Sequence, residues 1–116
     1  MIEKQNTFLL MIAKLINKAN ELGYKVTAGE FGRSEEVAKI YASQGKGISN
    51  SLHISRLAAD LNVFKNGKWL TNGGEYEDLG KYWESLGGTW GQRFLDSKGK
   101  PKPDGNHFSL AHNGVK

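Results

Sequence analysis

The stretch from Ser51 to Phe64, SLHISRLAADLNVF, constrains this chain more than any other, because it sets a histidine and an aspartate seven residues apart at the entry to an apolar strand. From Leu57 onward the residues alternate, with Leu57, Ala59, Leu61 and Val63 on one face and Ala58, Asp60, Asn62 and Phe64 on the other. A carboxylate on a half-buried strand is costly unless it is paired or binds a metal, so Asp60 needs a partner. His53 is the nearest candidate. An odd separation sends the two side chains to opposite faces of a flat strand, and they converge only if the chain bends or bulges around Ser55-Arg56. A bend is expected there.

The 116 residues suffice for one domain with a single modest core, and 38% hydrophobic content with 15 glycines and 2 prolines describes a loop-rich globular chain. There is no cysteine, which excludes disulfides and thiolate ligands and leaves His, Asp and Glu to bind any metal. A net charge of +4 favours an anionic partner. The 16 basic residues are nevertheless scattered from Lys4 to Lys116 without a dense run, so nucleic acid is not the expected partner. The longest apolar run, Phe8 to Ala13, is broken by Lys14 and is too short for membrane insertion. With Glu3 in the leading segment and no small-residue cleavage site after it, the chain does not read as carrying a signal peptide. The expectation is a monomer made in the cytoplasm.

Phe8, Met11, Ile12, Leu15, Ile16, Ala19 and Leu22 recur at helical spacing and predict a helix over roughly residues 5 to 22, ended by Gly23. Tyr24 to Phe31 reads as a strand. A second helix is predicted from Ser34, a good N-cap followed by Glu35 and Glu36, with Gly45 as its stop. Arg33 stands at the junction before it. A glycine-containing loop then leads to His53. After the strand of Leu57 to Phe64, the Asn66-Gly67 pair predicts a tight hairpin with Trp69-Leu70 returning antiparallel. Tyr76, Leu79, Tyr82, Trp83 and Leu86 predict a third helix from about Glu75 to Leu86, and His107 to Leu110 reads as a strand added to the sheet. The fold class is α+β, a small antiparallel β-sheet with about three helices packed around it. Trp69, Trp83 and Trp90 are expected in the core or the cleft wall, with Trp90 lining the cleft, and His112 is expected to be exposed in a tail.

A catalytic zinc takes three protein ligands and keeps a position for water. His53, Asp60 and His107 make such a set, and Asp104, three residues before His107, is close enough to act on that water. On spacing alone these four residues fit equally well as two satisfied core histidines and two turn aspartates.

The motifs carry a family resemblance. Ser51-x-His53-x-x-Arg56-x-Ala58-x-Asp60-Leu61 resembles the S-x-H-x-x-G-x-A-x-D-L motif of the zinc D-alanyl-D-alanine carboxypeptidases and the related phage L-alanyl-D-glutamate endopeptidases. The Asp104-x-x-His107-Phe108 segment resembles their second motif, Trp90-Gly91 resembles the element before it, and the likeness runs from about Phe31 to Leu110. The resemblance implies a single zinc peptidase domain over residues 1–116, Zn2+ held by His53, Asp60 and His107, and Asp104 as the catalytic acid/base. It also implies that Arg33 binds a substrate carboxylate or polarises the scissile carbonyl, and that Ser51 supports the site by hydrogen bonding. Two departures stand out: Arg56 replaces a common glycine and would narrow the site or add a carboxylate contact, and Gln92-Arg93 follows Trp90-Gly91 where another glycine is usual.

The implied activity is zinc-dependent hydrolysis of the L-Ala–D-Glu bond in peptidoglycan stem peptides, as in bacteriophage endolysins that reach the cell wall through a partner pore. The alternatives are a D-Ala-D-Ala carboxypeptidase, a dipeptidase, and a non-catalytic zinc-containing wall-binding module. The presence of Asp104 argues against the last.

Overall fold

Strand β2 (Ala58–Lys65) is the spine of the molecule, because both of its edges are paired. One edge takes β1 (Lys25–Ala28), and the other takes β3 (Lys68–Leu70) and β5 (His107–Ser109) end to end, with β4 (Thr89–Trp90) beyond β5. Every pairing is antiparallel. The computed structural model describes residues 1–31, 56–112 and 115–116. The helix expected from Ser34, and Arg33, Ser51 and His53, lie outside the described residues.

The period-2 pattern of β2 sorts its two faces as the sequence predicts. Ala59, Leu61 and Val63 are buried, while Asp60, Asn62 and Phe64 are half-buried. Leu70 and Phe108, the register partners of Val63 and Ala59, extend the buried face. Helices α1 (Ile2–Glu21) and α2 (Glu77–Ser85) cover it through a chain of aromatic contacts. Phe8 of α1 meets Trp83 of α2 edge-on at 5.8 Å, and Trp83 meets Phe108 of β5 at 5.9 Å. The Trp83 indole N–H donates to the carbonyls of Ser109 at 3.0 Å and Thr89 at 3.1 Å, so a fully buried polar atom is satisfied while it ties α2 to β4 and β5.

Helix α1 begins at Ile2, ahead of the expected start near residue 5, with Met1 as an N-cap that forms no side-chain cap and so leaves no mark in the sequence. Phe8, Met11, Ile12, Leu15 and Ala19 form its buried stripe. Ile16 was expected among them but lies about 80° from the centre of the stripe at 100° per residue. It is 39% exposed. Leu22 is the C-cap and only partly buried.

Regular pairing of β1 stops at Ala28↔Leu61, short of the expected Phe31. There two residues face one: Gly29 N–H donates to the Asp60 carbonyl at 2.7 Å and Asp60 N–H donates to the Glu30 carbonyl at 2.7 Å. The hairpin is as predicted, Asn66 (φ 53) and Gly67 (φ 76) both occupying the left-handed region of a type I′ turn. The third predicted helix is divided into a 3₁₀ turn (Gly73–Tyr76), capped by Asn72 accepting from Gly74 N–H at 2.9 Å, and α2. Strand β4 was not anticipated.

Gly80 of α2 faces the Trp90 indole, and a Cβ placed there would overlap the ring. In an open helix glycine to alanine stabilises by about 1 kcal/mol. Here overpacking outweighs propensity, and Gly80→Ala is expected to lower the unfolding free energy by about 1–3 kcal/mol. The midpoint of a urea titration reads the sign directly.

Candidate metal centre

The register of β2 and β5 places Asp60 directly opposite His107, so both side chains rise from the sheet face turned away from α1 and α2. Asp60 Oδ1 stands 3.6 Å from His107 Nδ1. Asp104 reaches the same place through a tight turn, closed by His107 N–H donating to the Asp104 carbonyl at 3.1 Å. One donor atom from each of Asp60, Asp104 and His107 lies within 4.8 Å of the others.

That turn is held from several sides. Asp104 N–H donates to the Gly91 carbonyl at 2.8 Å, Leu61 N–H donates to the Asn106 carbonyl at 2.9 Å, and the Trp90 indole N–H donates to the Gly105 carbonyl at 2.7 Å. Two glycines are required by close approach. A Cβ on Gly91 would run into the Asp104 carbonyl oxygen and stand 2.8 Å from His107 Cβ, and one on Gly105 would stand 2.8 Å from Gln92 Oε1. Phe94 packs against the imidazole of His107 with ring centroids 5.1 Å apart at 54°, which fixes the ring plane. His107 is 7% exposed, and Asp104 is open to solvent.

The donor set suits zinc. Two ligands bonded tetrahedrally at about 2.1 Å are about 3.4 Å apart. The Asp60 to His107 separation is close to that. Nitrogen and carboxylate oxygen are the donors zinc accepts when thiolates are absent, and the sequence has no cysteine.

Arg56 adopts φ 58, so the bend anticipated at Ser55-Arg56 is visible at Arg56, and the glycine of the motif is the residue that takes this conformation without a Cβ penalty. Its side chain lines a groove with Gln5, Phe8, Leu9 and Phe31. Trp90, expected to line the cleft, is 1% exposed. Its function is internal, because its ring is needed between Gly80 and the Asp104 turn that its N–H clamps. Arg93 explains one departure from the family pattern: it forms a two-pronged ion pair with Glu84, at 2.7 and 3.1 Å, and lies 5.4 Å over the Trp90 ring. His112 is not a loose tail residue. It is half-buried, bridges to Val115, and has Nδ1 3.3 Å from Lys4 Nζ.

Sequence reasoning missed Phe94, Tyr76 and the two-against-one pairing at Asp60. Tyr76 shares a cleft with Asp104, Trp69, Asn62 and Asn106. Burial first, then the charge of Asp104 and then that of Glu75, push its hydroxyl up to about 12. The sequence signal for the irregular pairing was Gly29-Glu30 at the point where alternation lapses.

Three comparisons bear on this arrangement. A protein-family model described as D-alanyl-D-alanine carboxypeptidase matches residues 43–110. Among solved structures, the crystal structure of the Serratia marcescens L-Ala D-Glu endopeptidase ChiX is similar at TM-score 0.65 and 19% identity, over 85% of this chain and 77% of that one. At this identity the likeness is one of fold. No curated protein matches the sequence.

Two outcomes follow from the geometry. Gly91→Ala should displace Asp104 and His107 together and weaken metal binding roughly 10–100-fold, the range of lost supporting contacts, in competition with a chelating dye. The second concerns alkaline pH. Tyr24, raised to about 12 by burial, by its hydrogen bond to Asp78 and by the Asp78 charge, and Tyr76 both hold their protons more tightly when folded. Their contribution is complete below the unfolded value of about 10 and is lost as pH rises toward about 12. Unfolding free energy should therefore fall across that window, less steeply in Tyr76→Phe.

Proposed function

The chain belongs to the D-alanyl-D-alanine carboxypeptidase family of metallopeptidases, and on that premise we propose that it is a zinc-dependent peptidoglycan peptidase that hydrolyses the L-Ala–D-Glu bond of stem peptides. The observation that carries this reading is the convergence of Asp60, Asp104 and His107 within 4.8 Å on the open face of the sheet. His53, Asp60 and His107 hold the zinc, and Asp104, the most exposed of the carboxylates there, works on water.

When bound, zinc supplies Lewis acidity that makes water nucleophilic toward a carbonyl near neutral pH. The Asp104 carboxylate takes one proton from the attacking water as its oxygen adds to the scissile carbonyl carbon. As the C–N bond breaks, Asp104 returns that proton to the departing amine, so the acid/base ends as it began. The Phe94 ring and the Asp60 carboxylate keep the His107 imidazole in one orientation throughout. Arg33 engages the α-carboxylate of D-glutamate next to the cut, where a guanidinium fork matches the two oxygens, and Ser51 supports the ligand loop.

The endopeptidase assignment is supported by the fold likeness to the Serratia L-Ala D-Glu endopeptidase and by a cleft that runs past Asp104 along the sheet. The family model's own description favours the second reading, a carboxypeptidase releasing D-alanine. We further propose an endolysin of phage type that acts on the wall after release through a partner pore. A net charge of +4 suits attraction to anionic wall polymers, and no helix of the described residues is long and apolar enough to cross a membrane.

Mass spectrometry of fragments released from purified peptidoglycan should show new N-terminal D-glutamate. Free D-alanine without that amine would replace the endopeptidase reading by the carboxypeptidase one. In the same assay Asp104→Asn, nearly isosteric and unable to act as base, should keep its zinc and lose about a hundredfold or more in turnover. His107→Ala should lose the zinc itself.

A further inference from the structure

The three tryptophans have sharply different surroundings. Trp83 and Trp90 are 0% and 1% exposed, whereas Trp69 is 55% exposed on β3. Its register partner is Phe64, so its ring rises from the same sheet face as Phe64, Asn62, Asp60 and His107. Trp69 also lines the cleft that holds Asp104, with Asn62, Thr71 and Asn106 as polar neighbours. More than half of this indole meets water, and it stands in a cleft that also contains Asp104 of the candidate metal centre.

We propose that Trp69 is a stacking platform for a pyranose ring, and that with Asn62 and Asn106 it forms a saccharide subsite for the glycan strand that carries the stem peptide. The apolar face of a sugar ring packs on an indole, and amide side chains supply donors and acceptors for its hydroxyl and N-acetyl groups. The spacing agrees. Asp60 and Phe64 are four residues apart on β2, about 13 Å at 3.3 Å per residue, and the indole is large enough to cover several ångströms of that span. In peptidoglycan the L-alanine is joined to the muramic acid by a lactyl amide. One amino acid plus that linker separates the scissile L-Ala–D-Glu bond from the sugar, on the order of 10 Å. A bond farther along the stem would leave the sugar several residues away. The subsite therefore rests on the L-Ala–D-Glu reading and would make the enzyme prefer stems still attached to glycan.

The test compares two substrates, a disaccharide-bearing muropeptide and the same stem peptide without sugar. The native enzyme should cleave the muropeptide with the higher kcat/KM. Trp69→Ala should raise KM for the muropeptide by about tenfold, the loss of one good contact, with a far smaller effect on the sugar-free peptide. Trp69→Phe should restore part of the difference. Equal losses on both substrates, or none on either, would overturn the subsite. Binding separates this from the assignment of the cut: the GlcNAc–MurNAc disaccharide should quench the fluorescence of Asp104→Asn and fail to do so once Trp69→Phe is added. Quenching in that variant with no L-Ala–D-Glu cleavage by the native enzyme would sink the endopeptidase reading and keep the sugar site, while native cleavage without quenching would do the reverse.

Discussion

The antiparallel register that sets Asp60 against His107 is the constraint on which the rest depends. A slip of one residue would turn Asp60 toward Phe8 and Trp83 in the core and bring Leu61 to the solvent face, so hydrophobic burial and the candidate site specify the same alignment. Several devices fix it. The type I′ turn at Asn66-Gly67 locks β2 to β3, the Trp83 indole holds the Ser109 carbonyl, and Leu110 N–H donates to the Leu57 carbonyl at 2.9 Å beyond the end of the strand. A pair of functional side chains thus inherits its geometry from a core that would need the same register without them.

Asp104 is delivered differently, by a turn whose shape comes from backbone contacts. Its amide and the Gly105 carbonyl are bound to Gly91 and Trp90, and Gly91 and Gly105 permit approaches that a methyl group would prevent. The aromatic residue beside the turn therefore acts through position alone. Trp90 touches no solvent, yet Gly80 behind it and Arg93 above it transmit the placement of α2 to the carboxylate. Preorganisation of this kind spares a carboxylate the reorganisation cost that it would meet on a loose loop.

What the sequence disclosed follows the strength of local periodicity. The β2 faces, the Asn-Gly hairpin and the helical stripe of α1 were legible because each repeats a short-range rule several times. Strand β4, two residues long, repeats nothing. The α1 start carried no cap residue, and β1 was read too long because irregular pairing at Gly29-Glu30 leaves the composition unchanged. The tryptophans read alike in one dimension. Which is core and which is surface depends on the sheet face that strand pairing assigns to each, as Trp90 opposite Phe108 and Trp69 opposite Phe64 demonstrate. Asp60, His107 and Asp104 could be named from their motif but not their separations, since a cross-strand distance is a property of register.

The sheet divides its labour between its faces. Helices α1 and α2 cover one face with Phe8, Leu15, Leu79 and Trp83, while the other carries Asp60, Asn62, Phe64, Trp69 and the buried His107 on a side no described helix covers. Antiparallel sheets tolerate this because their alternation lets one face be wet. Stability is then concentrated on the covered face, and the other face can carry charge and an exposed indole at little cost to the core. Arg56 sits at the edge of this division. Its left-handed backbone, at φ 58, turns the chain into the fully buried Leu57, and a non-glycine residue there carries a conformational cost of about 1–2 kcal/mol that only the burial behind it can offset. The turn into β2 is thus held by the same apolar face that holds the register, and the alignment of Asp60 with His107 draws on both.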